Sequence, residues 1–214
     1  MPDIYIASPK KRITRESKEI IKKVGVKKTR NPLASFVALP DGVEFETQEK
    51  EEKIILLLRR HWVTNIGWFL MAVLMIYVPF ILKIVPLLDF LPSRFRLVLV
   101  MMWYLITLAF IFEEFLIWFF NVYLVTDERI IDVDFISLAY RRITDAQIEK
   151  IQDITYQTGG LLKSIFDYGD IYIQTAAEKQ RIDFESVPSP DKVVKVLNQL
   201  IIQEQQEKIE GRVR

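Results

Sequence analysis

Trp62-Val63-Thr64-Asn65-Ile66-Gly67-Trp68-Phe69-Leu70-Met71-Ala72-Val73-Leu74-Met75-Ile76-Tyr77-Val78-Pro79-Phe80-Ile81-Leu82 runs 21 residues without a charged side chain. As a helix it extends about 31 Å, at roughly 1.5 Å per residue. The hydrocarbon core of a bilayer is about 30 Å thick, so this segment is long enough to span it. Pro79 falls in the last turn, where a missing backbone donor is tolerated.

A second apolar stretch begins after Arg96. Leu97 to Phe112 is uncharged, Glu113 and Glu114 follow, and Phe115 to Phe120 is apolar again. The pattern predicts a second helix over 97–119. A carboxylate is expensive at the bilayer midplane and much cheaper near an end. The two acids would lie about 24 Å along the helix, close to its exit. Interfacial acids and an ion or proton relay both remain open readings of this pair. No acid or base in the first helix completes a relay. The connection over 83–96 is short and holds Pro86 and Pro92, so the two helices form a hairpin. Trp62, Trp68, Tyr77, Trp103, Tyr104 and Trp118 supply aromatic residues for the interfacial belts.

The whole chain has 214 residues, half of them apolar, with 27% charged and a net charge of +1. That length suffices for one membrane module and one small domain. There is no cysteine, which removes disulfides and thiolate chemistry together. His61 is the one histidine, so multi-histidine metal sites are excluded. No cofactor or metal is expected. Met1 to Arg30 has no apolar core of the signal-peptide kind, so the internal segments are expected to direct membrane entry.

Lys and Arg set the expected orientation. Lys83, Arg94 and Arg96 lie in the connection, while Lys50, Lys53, Arg59, Arg60, Arg129, Arg141 and Arg142 flank the hairpin on the other side. The bias places both termini in the cytoplasm and makes the chain a multi-pass protein of the plasma membrane.

Residues 1–46 read as a basic, largely disordered tail and linker. Lys10, Lys11, Arg12, Arg15, Lys18, Lys22, Lys23, Lys27, Lys28 and Arg30 outweigh Asp3, Glu16 and Glu19. Three readings stand: a solvated tail that enforces orientation, attachment to anionic headgroups at about 1 kcal/mol per basic residue, or nucleic-acid contact. The last lacks the interleaved aromatics that single-strand binders use, so no nucleic acid is expected. The lipid reading names Lys10, Lys11, Arg12, Arg15, Lys22, Lys23, Lys27, Lys28, Arg59 and Arg60 as headgroup contacts. Residues 47–61 read as a juxtamembrane helix, with Glu49, Glu51 and Glu52 at its start and Arg59 and Arg60 at its end, matching the helix dipole. His61 reads as a headgroup anchor.

From Asn121 the periodicity changes to two. Ile131, Val133 and Phe135 alternate with Asp132 and Asp134, as in a half-buried strand with the acids on the solvent side. Val122 to Thr126 precedes it across a tight Thr126-Asp127-Glu128-Arg129 connection, which predicts a β-hairpin. Further strands are expected near 138–144, 151–157, 170–175 and 180–186. Ile148, Ile151 and Ile154 are three apart, so a helix competes with the strand there. Gly159-Gly160 and Tyr168-Gly169-Asp170 read as turns. The first pair lacks the Lys-Ser/Thr of a P-loop. Ser189 and Pro190 open a final helix whose Val193, Leu197, Leu200 and Ile201 form one face. The polar residues 204–214 follow it. Short antiparallel strands closed by one helix describe an α+β domain over 121–203, a small barrel or sandwich.

The run Tyr123-Leu124-Val125-Thr126-Asp127-Glu128-Arg129-Ile130-Ile131 resembles the opening of the bacterial pleckstrin-homology-like domain of YdbS-type membrane proteins. Ile151-Gln152-Asp153-Ile154, Leu161-Leu162, Tyr168-Gly169-Asp170-Ile171, the Pro-capped helix and Arg59-Arg60-His61-Trp62 extend the resemblance over roughly 45–200. It implies a PH-like domain carried by a two-helix transmembrane hairpin, with roles at the membrane. Eukaryotic relatives of the fold bind phosphoinositides through basic residues between the first two strands. Here that turn is Asp127-Glu128, short and acidic, which argues against that route.

No nucleophile-base-orienter set is visible, so no enzyme is expected. The leading expectation is a membrane-anchored scaffold or binding module for protein partners, a second copy of itself, or lipid headgroups. The competing one is a subunit of an oligomeric small transporter or channel, with Glu113 and Glu114 in its pore.

Overall fold

The computed structural model describes residues 15–25, 31, 33–40, 42–43, 48, 52–84, 92–137, 140–176 and 181–209. Most of the connection between the two apolar helices lies outside them, as do Lys10, Lys11, Arg12, Lys27 and Lys28.

The first difference from the sequence reading falls on Ile54-Ile55-Leu56-Leu57-Leu58. This run is a β-strand, not a juxtamembrane helix: β2 spans Ile54–Arg59 and every one of its residues is buried. A continuous apolar run of this length fits a buried strand and a buried helix equally well, and periodicity does not separate them. Both faces of β2 are covered. Ile55, Leu56 and Leu58 join one apolar cluster, and Ile54 and Leu57 join another.

The strand sits inside an antiparallel sheet with order β1-β2-β3-β4-β5. Its other strands are β1 (Phe36–Ala38), β3 (Val122–Thr126), β4 (Arg129–Ser137) and β5 (Tyr140–Gln147). The β3–β4 hairpin is the one expected, with Val125 opposite Ile130. Thr126 organises its turn: Oγ1 accepts from the amides of Glu128 (3.3 Å) and Arg129 (2.9 Å). The domain therefore does not begin at residue 121. It takes β1 and β2 from ahead of the apolar helices, and those helices are inserted between two neighbouring strands. Arg59 faces Val122 across the β2–β3 ladder.

A second antiparallel sheet has order β6-β7-β8, formed by Ile151–Gln157, Tyr168–Thr175 and Arg181–Pro188. Strand wins over helix at Ile151 and Ile154; Ile148 sits in a 3-10 turn over Ile148–Lys150. Neither sheet closes on itself among the described residues, so the two form an open pair and not a barrel. Ile171, Ile173, Ile182 and Phe184 from the second sheet meet Tyr123, Val125 and Ile130 from the first. Helix α5 (Pro190–Ile209) lays Val193, Val196, Leu197 and Leu200 into the same core. Pro190 opens it as predicted, directly after Ser189. Its hydroxyl donates to Asp167 at 2.7 Å, and its backbone sits at φ +46°.

The N-terminal segment also departs from a largely disordered tail. Helix α1 (Arg15–Val24) packs Ile20 and Ile21 into the core beside α5. Lys22 and Lys23 stay exposed on it. Tyr168-Gly169-Asp170 is not a turn but the start of β7. A Cβ on Gly169 would lie 2.6 Å from the Gln157 carbonyl oxygen, so glycine is required there by close approach of β6.

One polar tie holds the first sheet at its far end. Glu52 is fully buried, and Arg129 donates to both its oxygens, at 2.9 and 2.8 Å. Thr126 Oγ1 lies 2.8 Å from the same carboxylate, and the Lys53 amide donates to Asp127 at 2.7 Å. The acids read as a helix N-terminus thus include a buried strand-end ion pair.

Helices α2 (Ile66–Ile84) and α3 (Ser93–Phe120) pack against each other, and a 3-10 turn over Trp62–Asn65 leads into α2. Pro79 has no amide to offer Met75, and the Trp103 indole replaces it, donating to the Met75 carbonyl at 2.8 Å. Both helices are long and apolar enough to cross a membrane. Their outer faces are uncovered: Leu70, Phe95, Leu105 and Leu108 are each more than 60% exposed.

Candidate functional site

The strands feeding and receiving the helices bring several polar side chains to one place, the root of the hairpin. Arg59, at the end of β2, is 1% exposed. Its Nε donates to the Phe119 carbonyl at 3.1 Å, and its guanidinium lies 4.7 Å from the centre of the Phe119 ring. Phe119 belongs to the last turn of α3, whose carbonyls have no partner within the helix. Arg59 is therefore not a headgroup contact; it caps α3. The neighbouring bonds have the same sense. Trp118 Nε1 donates to the Arg60 carbonyl at 3.0 Å, the Phe135 amide donates to Asn121 at 2.6 Å, and the His61 amide donates to Ser186 at 2.7 Å. His61 is not a headgroup anchor either. Its Nδ1 accepts from the Val63 amide at 3.3 Å, and its ring stacks on Tyr168 at 5.1 Å. Burial lowers its pKa, against the pull of Asp167.

Beside this root lies a cleft of about 510 Å³. Ile117 and Asn121 at the end of α3 form one wall, β3 to β5 a second, and β8 a third. Its charges are mixed. Arg60 pairs with Glu185 at 2.8 Å, Arg181 with Asp183 at 2.6 Å, and Arg142 lies opposite Asp134 in the β4–β5 ladder. That leaves Asp132 as the surplus acid.

Asp132 is buried, contrary to its reading as a solvent-face residue. Strand alternation does put it opposite Val133, but that face of β4 looks into the cleft and not into open water. It also sits across from Tyr123 in the ladder. Its Oδ1 has no hydrogen-bond partner among the described residues, and neither does the buried Nε of Arg60. Burial, then Asp134 nearby, push the Asp132 carboxyl up to about 7, against the pull of Arg60. Tyr123, stacked on Phe184 at 4.6 Å, accepts from the Glu185 amide through its hydroxyl at 3.0 Å. Burial pushes its phenol up to about 12. The cleft thus presents one unmatched acceptor and one unmatched donor, a pair that would suit a ligand carrying complementary groups.

A model of the bacterial PH domain matches residues 62–201. The chain belongs to the bacterial PH domain family. The family match takes in the hairpin, β3 to β8 and the first part of α5. Strands β1 and β2 lie ahead of the matched residues and complete the first sheet. No curated protein matches the chain. Among solved structures, a DUF1696 family protein with a pleckstrin-homology domain from Shewanella loihica PV-4 is similar at a TM-score of 0.32. It shares 12% identity, over 37% of this chain and 69% of that one.

Among the described residues, Arg60 alone of the basic residues named from the sequence lines the cleft; Arg59 is buried at the root, and Lys22 and Lys23 are exposed on α1. The side chain of Arg15 lies outside the described residues. Asp132, Tyr123 and Glu185 were missed. The available signal was an Asp facing a Tyr across a hairpin already recognised, which makes a purely solvated face less economical. Glu114 lines a smaller hollow with Trp68, Trp118 and Arg60, at the root end of α3.

Proposed function

We propose that this bacterial PH domain protein is a non-enzymatic binding module anchored in the plasma membrane by its α2–α3 hairpin. Both termini are cytoplasmic, and the domain meets lipid headgroups or a protein partner at the cytoplasmic face. The observation that carries the reading is the rooting of the hairpin. Two uncovered apolar helices leave from, and return to, adjacent strands of one sheet, so the domain is held at the end of the helices. Lipid is the solvent that suits faces this apolar over this length. Tethering raises the effective concentration of the cleft toward anything in the headgroup layer.

The test uses the full chain in vesicles. Alkaline carbonate should leave it in the pellet, and single cysteines at Gln48 and Gln206 should both label from the same side. Release by carbonate removes the anchor, and labelling from opposite sides removes the hairpin. Photo-crosslinking in native membranes, wild type against Asp132→Asn, reads the cleft. Identical adducts in both would remove the cleft as the recognition site.

A further inference from the structure

Helix α4 (Leu161–Ile165) has its apolar side outward. Leu161 is 84% exposed, Leu162 60% and Ile165 72%, and Phe166 follows at 36%. The one charged side chain on this turn, Lys163, is directed back to the domain in an ion pair with Asp170. The arrangement is the reverse of what water selects, where the ammonium would be outside and the aliphatics inside. Gly160, at φ +94°, sets the turn that leads into it.

The location identifies what covers these side chains. Phe166 meets Trp62 edge-on at 5.7 Å and His61 at 6.5 Å. Trp62 is itself half exposed and is the first residue of the apolar span Trp62–Leu82. The uncovered surface of α4 is thus continuous with the entrance of the first helix. A protein partner of ordinary kind needs about 800 Å² from each side, more than four side chains on a single turn supply.

We infer that α4 is a second bilayer contact, a shallow apolar wedge that enters the boundary between headgroups and acyl chains beside the hairpin. The inference rests on the hairpin being membrane-embedded. Interfacial elements of this kind sit about 5–10 Å into that boundary. With α4 engaged beside the hairpin, the domain is supported by a second element next to the helices, which restricts its tilt on the surface and hence the direction in which the cleft opens.

The absence of cysteine from the sequence makes the test direct. Leu161→Cys, Leu105→Cys and Gln206→Cys are each labelled with an environment-sensitive nitrobenzoxadiazole dye in the full chain. They are reconstituted in phosphatidylcholine–phosphatidylglycerol vesicles containing lipids spin-labelled at shallow or deep positions. All three positions are exposed, so folding is not at risk. The dye at Leu161 should be quenched by shallow labels about twofold more than at Gln206, and the dye at Leu105 by deep labels. Deep quenching at Leu105 with Leu161 behaving like Gln206 overturns the wedge and leaves the anchor standing. Water-like behaviour at both Leu105 and Leu161 overturns the anchor, and the wedge with it.

Discussion

Arg59 and Phe119 join the two ends of the helical hairpin: one guanidinium both caps the last turn of α3 and lies over an aromatic ring of that turn. The contact connects the residue that ends β2 to the helix that delivers β3. A buried hydrogen bond from a charged group contributes about 1.5–3 kcal/mol, and a desolvated cation–π contact about 2 kcal/mol. Arg59→Ala should therefore destabilise the detergent-solubilised protein by about 3 kcal/mol, read as a lower urea midpoint. Arg59→Lys should recover only part of this, because an ammonium does not reproduce a planar donor stacked on a ring. An unchanged midpoint in either variant would show that the root is held by something else.

Glu52 tests whether β2 belongs to the domain. Removing one member of a buried ion pair costs about 3–5 kcal/mol when the other is left uncompensated; here Arg129 keeps the exposed Asp145 at 3.5 Å. Glu52→Gln should therefore cost about 3 kcal/mol, the low end of that range, on chemical denaturation, although residue 52 lies ahead of the family match. Replacing Glu52 and Arg129 together by Leu should be milder than the single change, since no charge is then stranded. Full stability of Glu52→Gln would place β2 outside the cooperative unit.

Asp132 gives the fold a signature in pH. Its carboxyl titrates near 7 in the folded chain and near 4 when unfolded. Between those values the folded state holds a proton that the unfolded state has lost, so this group makes stability fall as pH rises from about 4 to about 7. Above that window the loss is complete and constant. His61, with its lowered pKa, acts in the opposite sense below about 6.5, where it loses stability as pH falls. The contribution of Asp132 is isolated by subtracting the melting temperatures of the wild type from those of Asp132→Asn. That difference should grow across the window and then level off. A flat difference would mean that the carboxyl ionises normally.

Pro79 and Trp103 should behave as a coupled pair. Trp103→Phe strands the Met75 carbonyl and should cost about 1 kcal/mol, the net scale of one hydrogen bond. In a Pro79→Ala background the amide at 79 satisfies that carbonyl, and the same Trp103→Phe change should have little effect. Equal losses in both backgrounds would break the assignment.

Much of this molecule could be read from residue patterns. The two long helices follow from charge-free length, the β3–β4 hairpin from alternation around Thr126-Asp127-Glu128-Arg129, and α5 from Pro190 and its apolar face. The misreadings share a cause. Ile54 to Leu58 has no periodicity because both sides of the strand are covered, and the pairing that settles it comes from residues 122–126, across the whole hairpin. Asp132 was assigned correctly to a face, but alternation does not say what the face looks onto. The cleft exists because β8 lies opposite, more than 40 residues later in the chain. Arg59 had the right composition for a lipid contact and the wrong environment, since burial is a property of neighbours.

Because the hairpin interrupts a sheet between adjacent strands, the order of synthesis matters. β2 leaves the ribosome with one edge open, and its proper neighbour arrives only after about 60 further residues, several seconds later at roughly 5–20 residues per second. During that interval the greasiest strand of the fold has to be shielded from mispairing. Returning the chain through the hairpin is what brings β3 alongside, so completion of the nascent domain is timed by the delivery of the two helices.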